Sequence, residues 1–243
     1  MVWTALLVAL AIFFAAILRG FTGFGFALAA VPLLSLALEP ARVVPIVVLL
    51  QAVAAFADLR GSWRACDWRS ARWIVAGLAV GTPIGIVLLT SLAPDRVRLA
   101  IGFLILASVA LLGAGLRLPA RPPATLAWAV GAVSGVANGL AAIPGPPIVA
   151  YFLALPHSGL VARASIIVVF AATGVAGLLT LLLRGLVQWD AIVLALGGLP
   201  GLFIGSRLGV AGFRRSSPKL HRPVALTVLG ALAVLLILRA LVE

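Results

Sequence analysis

Residues 135–147 read Gly135-Val136-Ala137-Asn138-Gly139-Leu140-Ala141-Ala142-Ile143-Pro144-Gly145-Pro146-Pro147, in the middle of a long apolar run. A second stretch of the same kind lies near the start, Gly20-Phe21-Thr22-Gly23-Phe24-Gly25 running on to Pro32. Glycine and proline clusters at membrane depth interrupt helices, and are tolerated only where the freed backbone is buried in protein or lines a cavity. A matched pair of such interruptions in the two halves of a chain points to a transport site.

The composition agrees with a membrane setting. The chain has 243 residues, 64% of them hydrophobic and 10% charged, with a mean hydropathy of +1.26. A soluble domain carries about 25% charged residues. Apolar segments fall at 2–18, 24–38, 43–57, 73–92 and 97–116, then at 124–137, 140–155, 164–183, 191–211 and 223–241. Each span needs roughly 20 residues, so this is an all-α polytopic membrane protein. The first segment lacks a basic leader and reads as a retained membrane helix.

The net charge of +12 comes from basic residues scattered through short loops, a distribution set by membrane orientation rather than by nucleic acid. The single cysteine, Cys66, and two histidines offer neither an internal disulfide nor a metal-ligand cluster. No cofactor is expected.

The halves correspond, with 1–118 as a first repeat, 119–123 as a linker and 124–243 as a second repeat. Gly20 aligns with Gly135, Pro32 with Pro147, and Ala41-Arg42 with Ala162-Arg163. The Cys66-Asp67-Trp68 region aligns with Gln188-Trp189-Asp190, Gly81-Thr82-Pro83 with Gly198-Leu199-Pro200, and Pro94 and Arg98 with Pro218 and Arg222. If each half opens with a helix pair that returns to its starting side, most Lys and Arg collect on one face. That choice puts both termini outside and makes the repeats inverted, whether the pair is re-entrant or two full spans.

Each interruption restarts a helix at membrane depth, aiming free N–H groups and a positive dipole end into the protein. Two such ends would hold a small anion. The candidate binding residues are Arg19, Gly20, Thr22, Gly23, Gly25, Gln51, Asn138, Gly139, Pro144, Gly145, Pro146 and Arg163. Thr22 and Asn138 would donate hydrogen bonds, and Arg19 would supply counter-charge. Gln51 serves either the substrate or a neighbouring helix, the helix contact being favoured. Arg42 and Arg163 either attract the anion to a mouth of the pathway or snorkel to the interface. Ser165 and Thr173 are expected to bond back to their own helix, Asp58 and Asp67 to pair with loop arginines, and the tryptophans near helix ends to form an aromatic belt. Close helix packing is the competing reading of the glycines. No acidic pair, P-loop or serine–histidine arrangement points to an enzyme.

At Arg19-Gly-Phe-Thr-Gly-Phe-Gly-Phe-Ala-Leu-Ala-Ala-Val-Pro32 and at Gly135…Asn138-Gly139…Pro144-Gly-Pro-Pro147, the chain resembles the TauE/SafE sulfite exporter family of bacterial membrane transporters. The resemblance covers essentially the whole chain. Two departures stand out: Phe24 and Phe26 interleave the first glycines, and Asn138 and Pro146 stand where further glycine is common. The resemblance implies secondary transport of sulfite or a small organosulfonate such as sulfoacetate across the inner membrane. Proton coupling would need a carboxylate, for which Glu39 is nearest. Outward uniport of an anion gains about 2.3 kcal/mol per charge per 100 mV instead. A passive anion channel and a non-transporting membrane scaffold or assembly factor are the alternatives. The expected partners are the anion and the bilayer, with small-residue faces that would permit a homodimer.

Overall fold

The structure, a computed structural model, describes residues 2–22, 25–59, 61–215 and 218–242, with side chains of 6–21, 25–56, 59, 61–212 and 227–241. Among the described residues the chain is helical throughout, with no strand. Eleven helices follow one another: α1 (Val2–Thr22), α2 (Phe26–Ser35), α3 (Pro40–Asp58), α4 (Ser62–Ala65), α5 (Trp68–Ser91), α6 (Pro94–Gly113), α7 (Ala124–Ala141), α8 (Gly145–Ala154), α9 (Gly159–Leu183), α10 (Trp189–Arg215) and α11 (Pro218–Val242). Five stretches are long and apolar enough to cross a bilayer: α5, α6, α7, α9 and the Trp189–Gly212 part of α10. The protein is an all-helical polytopic membrane protein.

Two helices are different in kind. With ten residues each, α2 and α8 reach only about 15 Å at the helical rise, half of a bilayer's hydrocarbon thickness. Nine of the ten residues of α2 and seven of the ten of α8 are nonetheless buried. They are the segments that follow the glycine and proline interruptions.

The chain forms two compact units, and neither is a sequence half. The first unit takes Met1–Leu50, Leu92–Val109 and Leu186–Glu243; the second takes Gln51–Ser91 and Ala110–Gly185. In the first, α1 lies along α10 while α2 packs on α1 and α11. In the second, α5 lies along α7, and α8 and α9 pack beside them. The opening helix of each half thus pairs with the later glycine- and proline-bearing helix of the other half: α1 with α10, and α7 with α5.

Glycine lets those pairs touch backbone to backbone. Along α7, Gly131, Gly135 and Gly139 recur every four residues, the spacing of one helix face. They press on the α5 backbone from Ile74 to Ile86, and α5 answers with Gly77, Gly81 and Gly85. A Cβ at any of the six would come within 3 Å of a main-chain atom opposite. The α1–α10 pair repeats the device: Gly20 lies on the Ser206 carbonyl, Gly205 on the Phe13 carbonyl and Gly209 on the Ile17 carbonyl. In a bilayer, where tails are as apolar as leucine, such close approach and its dispersion contacts drive association.

The second unit has a well-defined core at one end. Ile74, Leu78, Ile148, Phe152 and Val169 are each at most 1% exposed and pack together with Ala71, Tyr151 and Leu155. Trp63, Trp68, Trp73 and Trp189 are all exposed near helix ends, as an aromatic belt requires.

Candidate functional site

The helix boundaries move the interruptions relative to the motif. In the second half, α7 continues through Gly135, Asn138 and Gly139, and the chain breaks only at Ala142-Ile143-Pro144. In the first half, α1 continues through Gly20 to Thr22 and the break ends at Gly25. The early glycines of each motif therefore sit in a helix seam and the later residues make the turn. Close helix packing is therefore the role the structure gives the early glycines.

The second break is held by side chains. Ala142 closes α7 in the left-handed conformation (φ 53°, ψ 28°), the sole non-glycine residue with positive φ among those described. That conformation costs an ordinary L-residue roughly 1–2 kcal/mol. Nested hydrogen bonds offset it: the Ala142 N–H donates to the Asn138 carbonyl (2.7 Å) and the Ile143 N–H to the Ala137 carbonyl (3.2 Å). The Gln51 Nε2 amide donates to the Ala142 carbonyl at 2.9 Å. The Asn138 Nδ2 amide, 2% exposed, donates to the Thr173 carbonyl of α9 at 3.1 Å. Gln51 thus makes the structural contact favoured for it, and Asn138 spends a donor on α9.

Beyond the turn, Pro144 caps α8, which opens Gly145-Pro146-Pro147. A helix leaves its first N–H groups without intrahelical partners, but two of these residues are prolines and carry none. Gly145 is the residue there that offers an N–H. The edge of the Phe170 ring lies 3.3 Å from where a Gly145 Cβ would stand, so this helix start is roofed by an aromatic.

Gly25 caps α2 with φ 90° and ψ 9°, left-handed backbone that suits glycine. Phe26, Ala27 and Leu28 follow, each with an N–H, and the ladder starts with Ala29 donating to the Gly25 carbonyl at 3.2 Å. Arg19 lies in the last turn of α1, where the dipole favours a cation. Its Nη1 is 3.5 Å from Ser206 Oγ on α10. The Thr22 side chain and Gly23 lie outside the described residues.

The remaining candidates are spread out. Arg163 is exposed at the start of α9, ten residues or about 15 Å along that helix from Thr173. Arg42, exposed at the start of α3, pairs with Asp190 at the start of α10 (3.4 Å). Thr173 and Ser165 bond back to the carbonyls of Phe170 and Val161, as expected. Glu39 precedes α3, exposed, its carbonyl accepting from Arg42 and Val43.

A polar cluster that the sequence did not foretell stands at the α4–α5 junction. Asp67 caps α5, its Oδ1 accepting from the backbone N–H groups of Arg69 (3.1 Å) and Ser70 (3.3 Å). Its Oδ2 lies 3.3 Å from His157 Nε2, and its own N–H donates to Ser165 Oγ at 2.8 Å. The Tyr151 hydroxyl donates to Ser70 Oγ at 3.1 Å. Asp67 was expected to pair with a loop arginine; a helix cap and a histidine hold it instead, because its place at the N-cap aims the carboxylate at the first turn of α5. Burial opposes the charge, but the Ser70 hydroxyl and N–H, with His157, outweigh it and hold the carboxyl below its ordinary value. Burial pushes the neighbouring Cys66 thiol up. The Asp58 side chain lies outside the described residues.

Half-length buried helices restarted after Gly/Pro breaks, within a bundle of apolar spans, define a membrane protein of the transporter class. Comparison with known proteins makes this specific. Residues 8–236 match the family described as sulfite exporter TauE/SafE, and the chain belongs to that family of transporters. It is similar to a probable sulfite/organosulfonate exporter TauE of Cupriavidus necator, 29% identical over 230 residues that cover 90% of this chain and 88% of the relative. No solved structure matches it.

Proposed function

We propose that this chain is a secondary transporter that exports a small sulfur-containing anion across the inner membrane, with sulfite as the leading substrate. The observation that carries the reading is the pair of buried ten-residue helices, α2 and α8, each begun after a break at the corresponding place in its half. The anion would be held by these helix starts, drawn by their positive dipole ends and N–H groups rather than by a fixed buried cation. Of the two starts, α2 offers the richer set of donors, from Phe26 to Leu28, while Gly145 contributes from α8. Arg19, Gly20, Thr22, Gly23, Gly25, Gln51, Asn138, Gly139, Pro144, Gly145, Pro146 and Arg163 would shape or approach this site.

The charge distribution supports two inverted repeats with the Arg60–Arg72 loop cytoplasmic and both termini periplasmic. An organosulfonate such as sulfoacetate is the second reading, in line with the similarity to a probable sulfite/organosulfonate exporter of Cupriavidus necator.

Flux into proteoliposomes tests the proposal, with sulfite, sulfate, thiosulfate and sulfoacetate offered under imposed potential and pH gradients. Saturable sulfite flux is expected. No flux for any sulfur anion overturns the reading, and unsaturable flux far above transporter turnover makes the protein a channel. Reporter fusions that place the Arg60–Arg72 loop outside would overturn the orientation.

A further inference from the structure

Four hydroxyls on the long helices of the second unit commit their proton to their own backbone. Thr90 donates to the Ile86 and Val87 carbonyls, Ser165 to Val161, Thr173 to Phe170 and Thr180 to Ala176. This is the ordinary way to satisfy serine and threonine inside a helix. Ser134 on α7 and Thr82 on α5 do not. Both are fully buried, at 0% exposure, and neither side-chain oxygen has a hydrogen-bond partner in the protein.

An unmet buried hydroxyl costs about 1–3 kcal/mol, and each such group calls for an explanation. The two also belong to one place. Ser134 adjoins Gly135, and a Cβ built on Gly135 would lie 2.8 Å from the Thr82 backbone nitrogen. The residues that carry the two hydroxyls therefore border the same glycine contact of the α5–α7 seam. Ser134 stands one turn before Asn138, on the face of α7 that leads up to the second break. Packing alone accounts for the glycines of the seam, but gives no reason for two polar atoms where alanine and valine would fill the same space without the desolvation cost.

We propose that Ser134 Oγ–H and Thr82 Oγ1–H form a subsite for a small oxyanion, each donating to a substrate oxygen as the ion passes between the α5–α7 seam and the break at Ala142–Gly145. Their protons are left uncommitted because the ligand that takes them is a hydrogen-bond acceptor. The inference rests on the anion-transport reading above and adds two residues to it, neither of them in a helix start.

The test uses the purified full chain carrying Ser134→Ala, Thr82→Val or the hydroxyl-preserving Thr82→Ser. Two measurements are made: sulfite flux in proteoliposomes, and the thermal shift that sulfite produces in detergent. Removing a hydrogen bond to a charged ligand should raise KM for sulfite about tenfold or more in Ser134→Ala and Thr82→Val. Their thermal midpoints without sulfite should stay unchanged or rise, since an unmet polar group has been deleted. Thr82→Ser should transport with a KM near that of the natural chain.

Unchanged KM in both hydroxyl-free variants overturns the subsite. So does a lowered midpoint with unaltered kinetics, which would mean that the hydroxyls hold structural water only. If the natural chain carries no sulfur anion at all, the transport reading falls. The subsite is then judged by the thermal shift alone: a sulfite shift lost on removing the hydroxyls sustains it, and a shift that is retained, or absent from the natural chain, rejects it.

Discussion

Between α1 and α2 the chain turns on Gly25, a residue that enters left-handed backbone without strain, and the helix that follows opens with three consecutive N–H groups. Between α7 and α8 the chain turns on Ala142, which is strained there. Gln51 holds its carbonyl, Asn138 ties the end of α7 to α9, and prolines strip donors from the helix start. Gly25 takes up its left-handed conformation without strain, whereas Ala142 is held in it by its neighbours.

The largest effect expected would show whether the two seams below the breaks are equivalent. Gly20→Val and Gly139→Val each drive a side chain into main-chain atoms, the Ser206 carbonyl and the Thr82 carbonyl respectively. Both should cost at least about 3 kcal/mol and abolish a monodisperse peak in detergent chromatography. Normal behaviour of one of them would mean that its seam is looser than its counterpart.

Substitution at the turns should then act with opposite signs. Gly25→Ala places a Cβ on left-handed backbone and should lower stability by about 1–2 kcal/mol. Ala142→Gly relieves the same strain and should raise it by up to about 1 kcal/mol, less what the freer unfolded chain takes back. Thermal unfolding of the two variants side by side checks this, and equal signs would erase the distinction between the breaks. Gln51→Leu, which leaves the Ala142 carbonyl without its side-chain donor, should cost about 1–2 kcal/mol. A cost that persists unchanged on the Ala142→Gly background would show that Gln51 does not brace the turn.

The smallest effects concern the acidic residues at the starts of α5 and α10. The Asp67 carboxyl is held below its ordinary value, so its stabilisation is complete above that value and drains away as pH falls through the lowered folded pKa. The unfolding midpoint should show no Asp67 contribution to its slope from pH 7 to about 5, and a loss below about pH 4 that Asp67→Asn removes. Asp190 is about half exposed, as is its partner Arg42, so Asp190→Asn should change stability by less than about 1 kcal/mol, and less still in high salt. An Asp190 effect as large as that of Asp67 would contradict the contrast between a helix cap and a surface pair.

Much of this architecture could be read from the residues. The helices lie close to the apolar runs, because length and hydropathy suffice to mark a membrane helix when every backbone group must be satisfied within it. Gly25 and Pro144 mark the breaks for equally local reasons. Asn138 and Gly139 were read at the second break itself, but they lie inside α7, since small and polar residues remain helical where a neighbouring helix packs against them. The Asp67–His157 pair joins residues far apart in sequence, and no spacing rule announces it.

The sequence by itself determined the class of the protein, the rough extent of its longer helices and the two stretches in which a helix is interrupted. These follow from local physics: hydrophobic length, glycine's freedom and proline's missing donor. Only the tertiary structure decided that α1 pairs with α10 and α7 with α5 across the halves, that Ala142 rather than a glycine carries the second left-handed turn, and that the Ser134 and Thr82 hydroxyls find no partner in the protein. Each of these depends on which backbone lies opposite, and contacts between distant segments are set by packing rather than by the residues on either side of them in the chain.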